Sequence, residues 1–195
     1  MCNTLNFVDG QCQKERCRTL VDKIKGTNKY GSESCETIFV NEAVYSFLRD
    51  PKRGEIVVFV PPTEIGNGKM MKKKYIKRVI GVPGDIVEIE NGKVYLTNEA
   101  EGIERQELPE SYLSAKNEGR TSTTKAKFEV PEGEYLCFGD NRIESLDARR
   151  CYEPQGCDEN NTAFVPKKYI KGRAQVVVWP PKQWRGARTG FRNGK

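Results

Sequence analysis

Histidine is missing from all 195 residues of the sequence. A chain without histidine cannot be a Ser-His-Asp or Cys-His hydrolase, and it cannot hold a His-ligated zinc or carry a phosphohistidine. Any acid–base chemistry must therefore use lysine, carboxylate or tyrosine side chains.

Long apolar runs are missing as well. The longest runs, at residues 56–60 and 176–179, have the length of single strands, and each ends at a pair of prolines. We therefore expect no membrane-spanning segment in this chain and no signal peptide at its start.

The charge balance is mildly basic, with 33 basic and 27 acidic residues and a net charge of +6. Basic residues cluster at 72–74, at 77–78 and in the tail from 182 to 195. They either keep the chain soluble or attract it to an anionic surface such as a membrane. Nucleic-acid binding is disfavoured, because the sequence has no recognition-helix pattern, RNP-like motif or strongly basic helix.

Cysteine is comparatively frequent, with seven residues. Cys2, Cys12 and Cys17 lack Cys-x-x-Cys spacing, so no metal site is predicted. Cys151 and Cys157 flank a short loop that contains proline and glycine. They are either a disulfide, which would place the domain outside the cytosol, or two reduced thiols.

Runs of β-branched and aromatic residues predict strands at 37–40, 55–59, 74–80, 135–138 and 174–179. Strands at 85–90 and 93–96 flank Asn91-Gly92, a strong hairpin signal. We predict a polar, irregular lead-in at 1–34 with one short helix near 16–24, a β domain at 35–182 and a basic tail at 183–195. Residues 98–128 are predicted to be an inserted polar surface excursion. The fold class is mostly β, a curled antiparallel sheet or partly open barrel.

Two segments carry more than a strand pattern: YIKRVIGVPGD at 75–85 and GDNRIESLDAR at 139–149. In this order they resemble the lysine box and the Gly-Asp-Asn-Arg box of bacterial type I signal peptidases. The stretches at 51–59, 108–113, 130–133 and 165–180 resemble the same family. The resemblance covers about residues 36–180 and implies the family's β fold and a Ser–Lys peptidase mechanism without cofactors.

Lys77 matches the family's general base, which takes the proton from a serine and passes it to the leaving amine. A free lysine is protonated at neutral pH, so this role requires burial to lower its pKa. Strand alternation puts Arg78 on the opposite face, away from the Lys77 pocket. From the strand pattern alone, Lys77 would be an exposed lysine.

In the second box, Ser145 matches the serine that orients the lysine amine. Gly139 is expected to allow a tight backbone at a strand end. The resemblance implies supporting roles for the charged residues of the two boxes, including a buried Asp–Arg pair that pins the loop: Arg78, Asp140, Asp147 and Arg149. Ala148 replaces the usual serine. The aromatic-Gly that normally follows is replaced by Arg150-Cys151-Tyr152, which would exchange aromatic packing for a disulfide.

The nucleophile is less clearly marked. The family pattern Ser-x-Ser-Met-x-Pro-Thr is nearest to GSESCET at 31–37, which makes Ser34 the nucleophile, Ser32 an oxyanion-hole donor and Cys35 the counterpart of methionine. The proline is missing, and so is a short connector to the next strand. Alignment without that deletion puts Thr27 at the nucleophile position.

The resemblance implies a membrane-associated endopeptidase on the extracytoplasmic face of the plasma membrane. Its partners would be secreted preproteins, whose signal segment would lie along the Lys77 strand with Tyr75, Ile76 and Ile38 at the binding site. The family's transmembrane anchor has no counterpart in residues 1–30, so we expect a shortened chain, an anchorless relative or a member that has lost its activity. The alternative function is a non-catalytic relative that binds or chaperones secreted polypeptides.

Overall fold

The computed structural model describes residues 7–8, 11–12, 37–62, 64–65, 69–70, 74–123, 125–158, 161–179 and 185–186. Their strands, numbered in chain order, are β1 (Phe7–Val8), β2 (Gln11–Cys12), β3 (Thr37–Asn41), β4 (Ile56–Phe59), β5 (Glu64–Ile65), β6 (Lys69–Met70), β7 (Tyr75–Gly81), β8 (Ile86–Glu90), β9 (Lys93–Asn98), β10 (Ile103–Glu107), β11 (Lys127–Glu129), β12 (Glu134–Phe138), β13 (Phe164–Pro166), β14 (Ile170–Trp179) and β15 (Arg185–Gly186). The fold is mostly β, as predicted. The helix expected near residues 16–24 lies outside the described residues.

The larger sheet is antiparallel and curls into a half-barrel. Its order is β13-β12-β7-β4-β14-β15, and β3 also pairs with β14. The ten-residue β14 reaches several neighbours because its first part pairs with β4 and its later part with β3 and β15. Irregular register against β3 and β4 bends this long strand, as β-bulges do. The order places β7 inside the sheet, between β12 and β4.

A second antiparallel sheet has the order β10-β9-β8-β11. The hairpin predicted at Asn91-Gly92 is confirmed: it joins β8 to β9, with positive φ at both turn residues, 50° and 80°. Val87, Leu96 and Phe128 from this sheet belong to the same apolar cluster as Val79 and Leu136 from the larger sheet. The two sheets therefore share one core.

Asp85 fixes the second sheet against the first. Its fully buried carboxylate accepts hydrogen bonds from the Arg53 guanidinium (Nε to Oδ2, 2.6 Å), from Asn98 Nδ2 (2.6 Å) and from the Val82 backbone N–H (2.8 Å). Arg53 precedes β4 and Asn98 ends β9, so one carboxylate joins elements from both sheets.

The helical segments in the described part of the chain are short: a π-helical turn at Val44–Leu48 and 3-10 turns at Glu99–Glu101, Ala148–Arg150 and Lys167–Tyr169. None of the described helices has the length and apolar character that a membrane crossing requires.

The segment 98–128, predicted to be a surface excursion, is partly buried. Leu108, Tyr112, Asn117 and Thr121 are all buried. Tyr112 packs against the larger sheet through Arg78. The excursion therefore forms part of the surroundings of the candidate site.

Candidate functional site

Lys77 lies in β7, and its side chain is only 8% exposed. Its Nζ is 5.4 Å from the centre of the Tyr75 ring, two residues earlier on the same strand face. Tyr75 packs in turn against Phe59, its cross-strand partner on β4, with ring centroids 6.3 Å apart. The amine therefore sits on an aromatic wall rather than in solvent.

This environment lowers the pKa of Lys77 below the ordinary value for lysine, and burial is the largest cause. The charged ammonium form loses its hydration in the pocket, whereas the neutral amine loses little. Attraction to Asp147 and Asp140 raises the pKa, and repulsion from Arg149 lowers it further. The net result widens the pH range in which the amine is neutral and can accept a proton.

Arg78 projects from the other face of β7, as alternation predicts. Its Nε and Nη2 donate to the two carboxylate oxygens of Asp140 at 3.0 and 2.8 Å, and its Nη1 donates to the Gly54 carbonyl at 2.7 Å. The centre of the Tyr112 ring lies 3.9 Å from the guanidinium carbon. The Arg78 and Asp140 side chains are fully buried, so this pair pins the 139–149 loop to the Lys77 strand.

Gly139 begins that loop, and the reason for glycine is close packing. A Cβ at this position would lie 1.9 Å from Ser145 Oγ and 2.4 Å from Ser145 Cβ. The backbone N–H of Gly139 donates to Asp147 Oδ2 at 2.8 Å. Glycine is therefore required at position 139 mainly to leave space for the Ser145 side chain, and less for the tight backbone that the sequence predicted.

Asp147 and Arg149 form a second buried pair within the loop. The Nε and Nη2 of Arg149 donate to Asp147 Oδ1 and Oδ2 at 2.9 and 2.8 Å. Burial raises the pKa of Asp147, but hydrogen bonds from Arg149 and from the Gly139 N–H outweigh it, and the net pKa is lowered. The carboxylate thus stays charged beside Lys77 and holds the loop in place.

Arg142 is a site-supporting residue that the sequence analysis did not single out. Its fully buried guanidinium contacts Glu110, donates to Thr121 Oγ1 at 2.7 Å and donates to the Gly139 carbonyl at 3.1 Å. Its partners Glu110 and Thr121 lie 32 and 21 residues away. Its place in the second box was the one sequence signal for Arg142. No local pattern indicates partners that lie so far away in the sequence.

Ser145 is positioned by the turn that precedes it, where its N–H donates to the Asn141 carbonyl at 2.9 Å. Its Oγ is buried and has no hydrogen-bond partner within the part of the chain that the structure describes. The expected hydrogen bond to the Lys77 amine is therefore not formed. The turn directs the hydroxyl against Gly139 instead.

The predicted substrate-contacting residues differ in accessibility. Ile76 and Ile38 are half-buried and keep some exposed surface. Tyr75 is buried between Phe59 and Tyr152 and is not an accessible wall for a substrate. Its ring shares the face of Lys77, where it fills the core beneath the amine. Tyr75 is thus a support for Lys77.

Cys151 and Cys157 are joined by a disulfide, with Cα atoms 5.0 Å apart. Aromatic packing is nevertheless retained. The Tyr152 ring is fully buried and meets Phe59 and Tyr75 edge-on at centroid distances of 5.4 and 6.0 Å. The expected exchange of aromatic packing for a disulfide is therefore wrong, since the chain has both.

The nucleophile candidates Ser34 and Thr27 lie outside the described residues, as does Ser32. The described chain resumes at β3, which follows that segment directly. Within the described residues, no group of three or more cysteine and carboxylate side chains is arranged to hold a metal ion. The described site therefore consists of Lys77 and the loop that surrounds it.

The chain is similar in sequence to proteins of one known family. The profile of the family described as "Signal peptidase, peptidase S26" matches residues 23–179. The chain is 38% identical over 133 residues to the probable signal peptidase I-2 of Synechocystis, a match that covers 68% of this chain and 50% of that protein. It is 34% identical over 146 residues to a signal peptidase I of Bacillus amyloliquefaciens, covering 74% of this chain and 67% of that one.

Among solved structures, a signal peptidase I from Enterococcus faecalis is similar, with a TM-score of 0.42 and 27% identity, covering 64% of this chain and 97% of that one. The chain spans half the length of the Synechocystis protein.

Proposed function

The chain belongs to the peptidase S26 family of signal peptidases, and on that premise we propose that it is a serine endopeptidase that removes N-terminal signal peptides from secreted preproteins. The observation that carries the proposal is Lys77, a buried lysine of lowered pKa beside a loop held by ion pairs. In a chain without histidine, such an amine can act as the base that activates a hydroxyl nucleophile.

In the proposed reaction, the neutral Lys77 amine takes the proton from the hydroxyl of Ser34. The resulting alkoxide attacks the scissile carbonyl, and Ser32 donates a hydrogen bond to the oxyanion. Lys77 then gives its proton to the leaving amine, and water hydrolyses the acyl-enzyme by the same path. Ser145 would orient the amine after its side chain turns away from Gly139, and its Oγ has no hydrogen-bond partner among the described residues to lose.

The substrate would add to the open edge of β7 as an extended strand. β12 pairs with β7 only from Arg78 to Gly81, so among the described strands residues 75–77 are paired on the β4 side alone. The Val79 N–H and carbonyl are bonded toward Glu55 and Gly54. By alternation, the Ile76 backbone groups face the open edge and can receive the substrate.

We propose membrane association on the extracytoplasmic face. The disulfide suits an oxidising compartment. Phe47 and Leu48 are 85% and 76% exposed on the π-helical turn that follows β3, and Phe39 on β3 is 51% exposed. Such exposed apolar side chains suit insertion into a lipid interface. If so, Phe47→Ser/Leu48→Ser would reduce flotation with vesicles that contain anionic lipid and leave the fold intact.

The alternative is a non-catalytic relative that binds secreted polypeptides along the same strand edge. The absence of a Ser145–Lys77 hydrogen bond within the described residues favours it. This function would need the β7 edge but not the titration of Lys77.

The test is cleavage of a preprotein whose signal ends in Ala-x-Ala, in detergent or lipid. Lys77→Ala, Lys77→Arg and Ser34→Ala should each abolish cleavage, the arginine because a guanidinium stays protonated. Lys74→Ala is the matched control, since Lys74 is exposed just before the same strand.

The outcomes separate the alternatives. Activity that survives Ser34→Ala but is lost in Thr27→Ala would assign the nucleophile to Thr27. An unmodified chain that binds signal peptides without cleaving them would establish the binding protein instead.

A further inference from the structure

Two consecutive residues that are not glycine have left-handed backbone conformations: Cys151, with φ of 47°, and Tyr152, with φ of 63°. They follow directly after the 3-10 turn Ala148–Arg150. Residues with large side chains rarely adopt positive φ, and such conformations persist where the surroundings hold them.

Covalent and hydrogen-bonded contacts hold this backbone. The disulfide ties Cys151 to Cys157. The Tyr152 N–H donates to the Asp147 carbonyl at 3.0 Å, and the Cys151 N–H donates to the Ala148 carbonyl at 3.1 Å. The Tyr152 hydroxyl donates to the Ala163 carbonyl at 3.3 Å.

The conformation directs the Tyr152 ring toward the Lys77 site. Tyr152 packs edge-on against Tyr75, and the Tyr75 ring is the aromatic surface beneath the Lys77 amine. Phe59 closes the third side of the cluster. A continuous path of packed rings thus runs from the disulfide to Lys77.

We infer that Tyr152, held in place by the Cys151–Cys157 disulfide, is a positioning residue that keeps Tyr75 beneath Lys77 and water out of the lysine pocket. The inference rests on the proposed function only in taking Lys77 as the base. Tyr152 and the disulfide lie outside the two sequence boxes that carry the family resemblance, whereas Tyr75 and Lys77 belong to the first box.

Other groups also act on Lys77. Asp147 and Arg149 face it from the loop, Asp140 from the start of that loop and Cys137 from β12. Replacing Tyr152 changes none of these side chains. Burial, however, is the largest influence on the pKa of Lys77, and burial depends on the wall that Tyr152 supports.

Two variants, Tyr152→Gly and Tyr152→Phe, distinguish the contribution of the Tyr152 ring from those of the backbone conformation and the hydroxyl. Glycine accepts positive φ without strain, so Tyr152→Gly removes the ring, its packing and its hydroxyl without straining the backbone. Phenylalanine keeps the ring and loses the Ala163 hydrogen bond. The pKa of Lys77 is measured on each folded full-length protein from the pH dependence of its acetylation by a small amine-reactive reagent, read by mass spectrometry of the peptide that contains Lys77.

We expect the pKa of Lys77 in Tyr152→Phe to equal that in the unmodified protein. Tyr152→Gly should shift this titration upward by about one pH unit or more, toward the ordinary value for lysine, because water enters the pocket. Cys151→Ser/Cys157→Ser should shift it in the same direction by less. Any cleavage activity should show a pH–rate profile displaced by the same amount.

Leu96→Ala is the control for a core cavity, because Leu96 is buried in the second sheet. It should lower stability without moving the Lys77 titration. A folded Tyr152→Gly protein with an unchanged Lys77 titration would overturn the inference, and Tyr152→Leu decides by the same criterion if the glycine variant does not fold. Acetylation needs no cleavage, so failure of the proposed peptidase activity would be seen separately.

Discussion

Arg78 and Asp140 form a doubly hydrogen-bonded ion pair with no solvent exposure, across 62 residues of sequence. The pair joins β7 to the first residues of the 139–149 loop. Because Lys77 is the neighbour of Arg78, this contact sets where the loop lies relative to the amine. Tyr112 covers the pair from the 98–128 segment.

Removing one partner of this pair should be strongly destabilising. Asp140→Asn removes a buried negative charge that faces the fully buried Arg78 guanidinium, so we expect a loss of about 3–5 kcal/mol in the free energy of unfolding. Arg78→Lys should also destabilise, because an ammonium cannot donate to both carboxylate oxygens in the planar geometry of the guanidinium. Urea unfolding followed by circular dichroism measures both losses.

The exposed pair Lys93–Glu107 serves as the control. Lys93→Ala should leave the unfolding midpoint unchanged, because solvent screens an exposed pair. A midpoint for Asp140→Asn equal to that of Lys93→Ala would contradict the role given to Asp140.

Gly139→Ala should destabilise the chain by about 1–3 kcal/mol, because the new Cβ would overlap Ser145 Oγ. Ser145→Gly removes the atoms that clash, so the double variant should lose less than the sum of the two single variants. Denaturant unfolding of the four proteins gives the coupling free energy.

Gly186→Ala is the matched control, since the nearest atom to its Cβ would be the Gln175 carbonyl oxygen at 4.0 Å. It should be close to neutral. Additive losses for Gly139→Ala and Ser145→Gly would show that the loop relaxes away from the overlap.

The disulfide gives a chemical prediction. Alkylation of the native protein without reductant should leave Cys151 and Cys157 unlabelled, because they are paired. Cys137 is free but buried, so it should be labelled only after unfolding. Cys151→Ser/Cys157→Ser should lower the free energy of unfolding by about 2 kcal/mol, as expected when a short closed loop is opened. Labelling of both cysteines in the native protein would contradict the pairing.

The sequence predicted the strands that carry the site because β-branched and aromatic runs reflect local preference. The hairpin at Asn91-Gly92 is likewise local, since both turn residues tolerate positive φ. The burial of Lys77 could not be derived this way, because its strand pattern alone favours an exposed lysine. Burial follows from the 139–149 loop and from the Tyr75 ring, which Phe59 and Tyr152 hold in place through tertiary contacts.

Long-range partners were equally hidden from local patterns. Arg142 is a charged residue in a turn, and its partners Glu110 and Thr121 come from a segment that composition assigned to the surface. Charged residues are buried when they are paired. Whether Arg142 is buried therefore depends on its partners, and these lie too far away in the sequence for a local pattern to show them. The conformation of Tyr152 depends in the same way on the disulfide beside it.

Replacing Lys77 with methionine should stabilise the protein at neutral pH, because the buried ammonium is costly and methionine is not. The folded-state pKa of Lys77 is lowered, so between that pKa and about 10.4 the unfolded chain binds more protons at this residue than the folded one. Below the folded-state pKa, the buried ammonium therefore costs about 1.4 kcal/mol of stability for each unit by which the pKa of Lys77 is lowered. This cost disappears as pH rises toward the pKa of Lys77 in the unfolded chain. Urea unfolding across pH should show the advantage of Lys77→Met over the unmodified protein narrowing in this window. Lys74→Met, at an exposed position, should show no such trend. A Lys77→Met advantage that is constant with pH would mean that Lys77 is not held in its neutral form by burial.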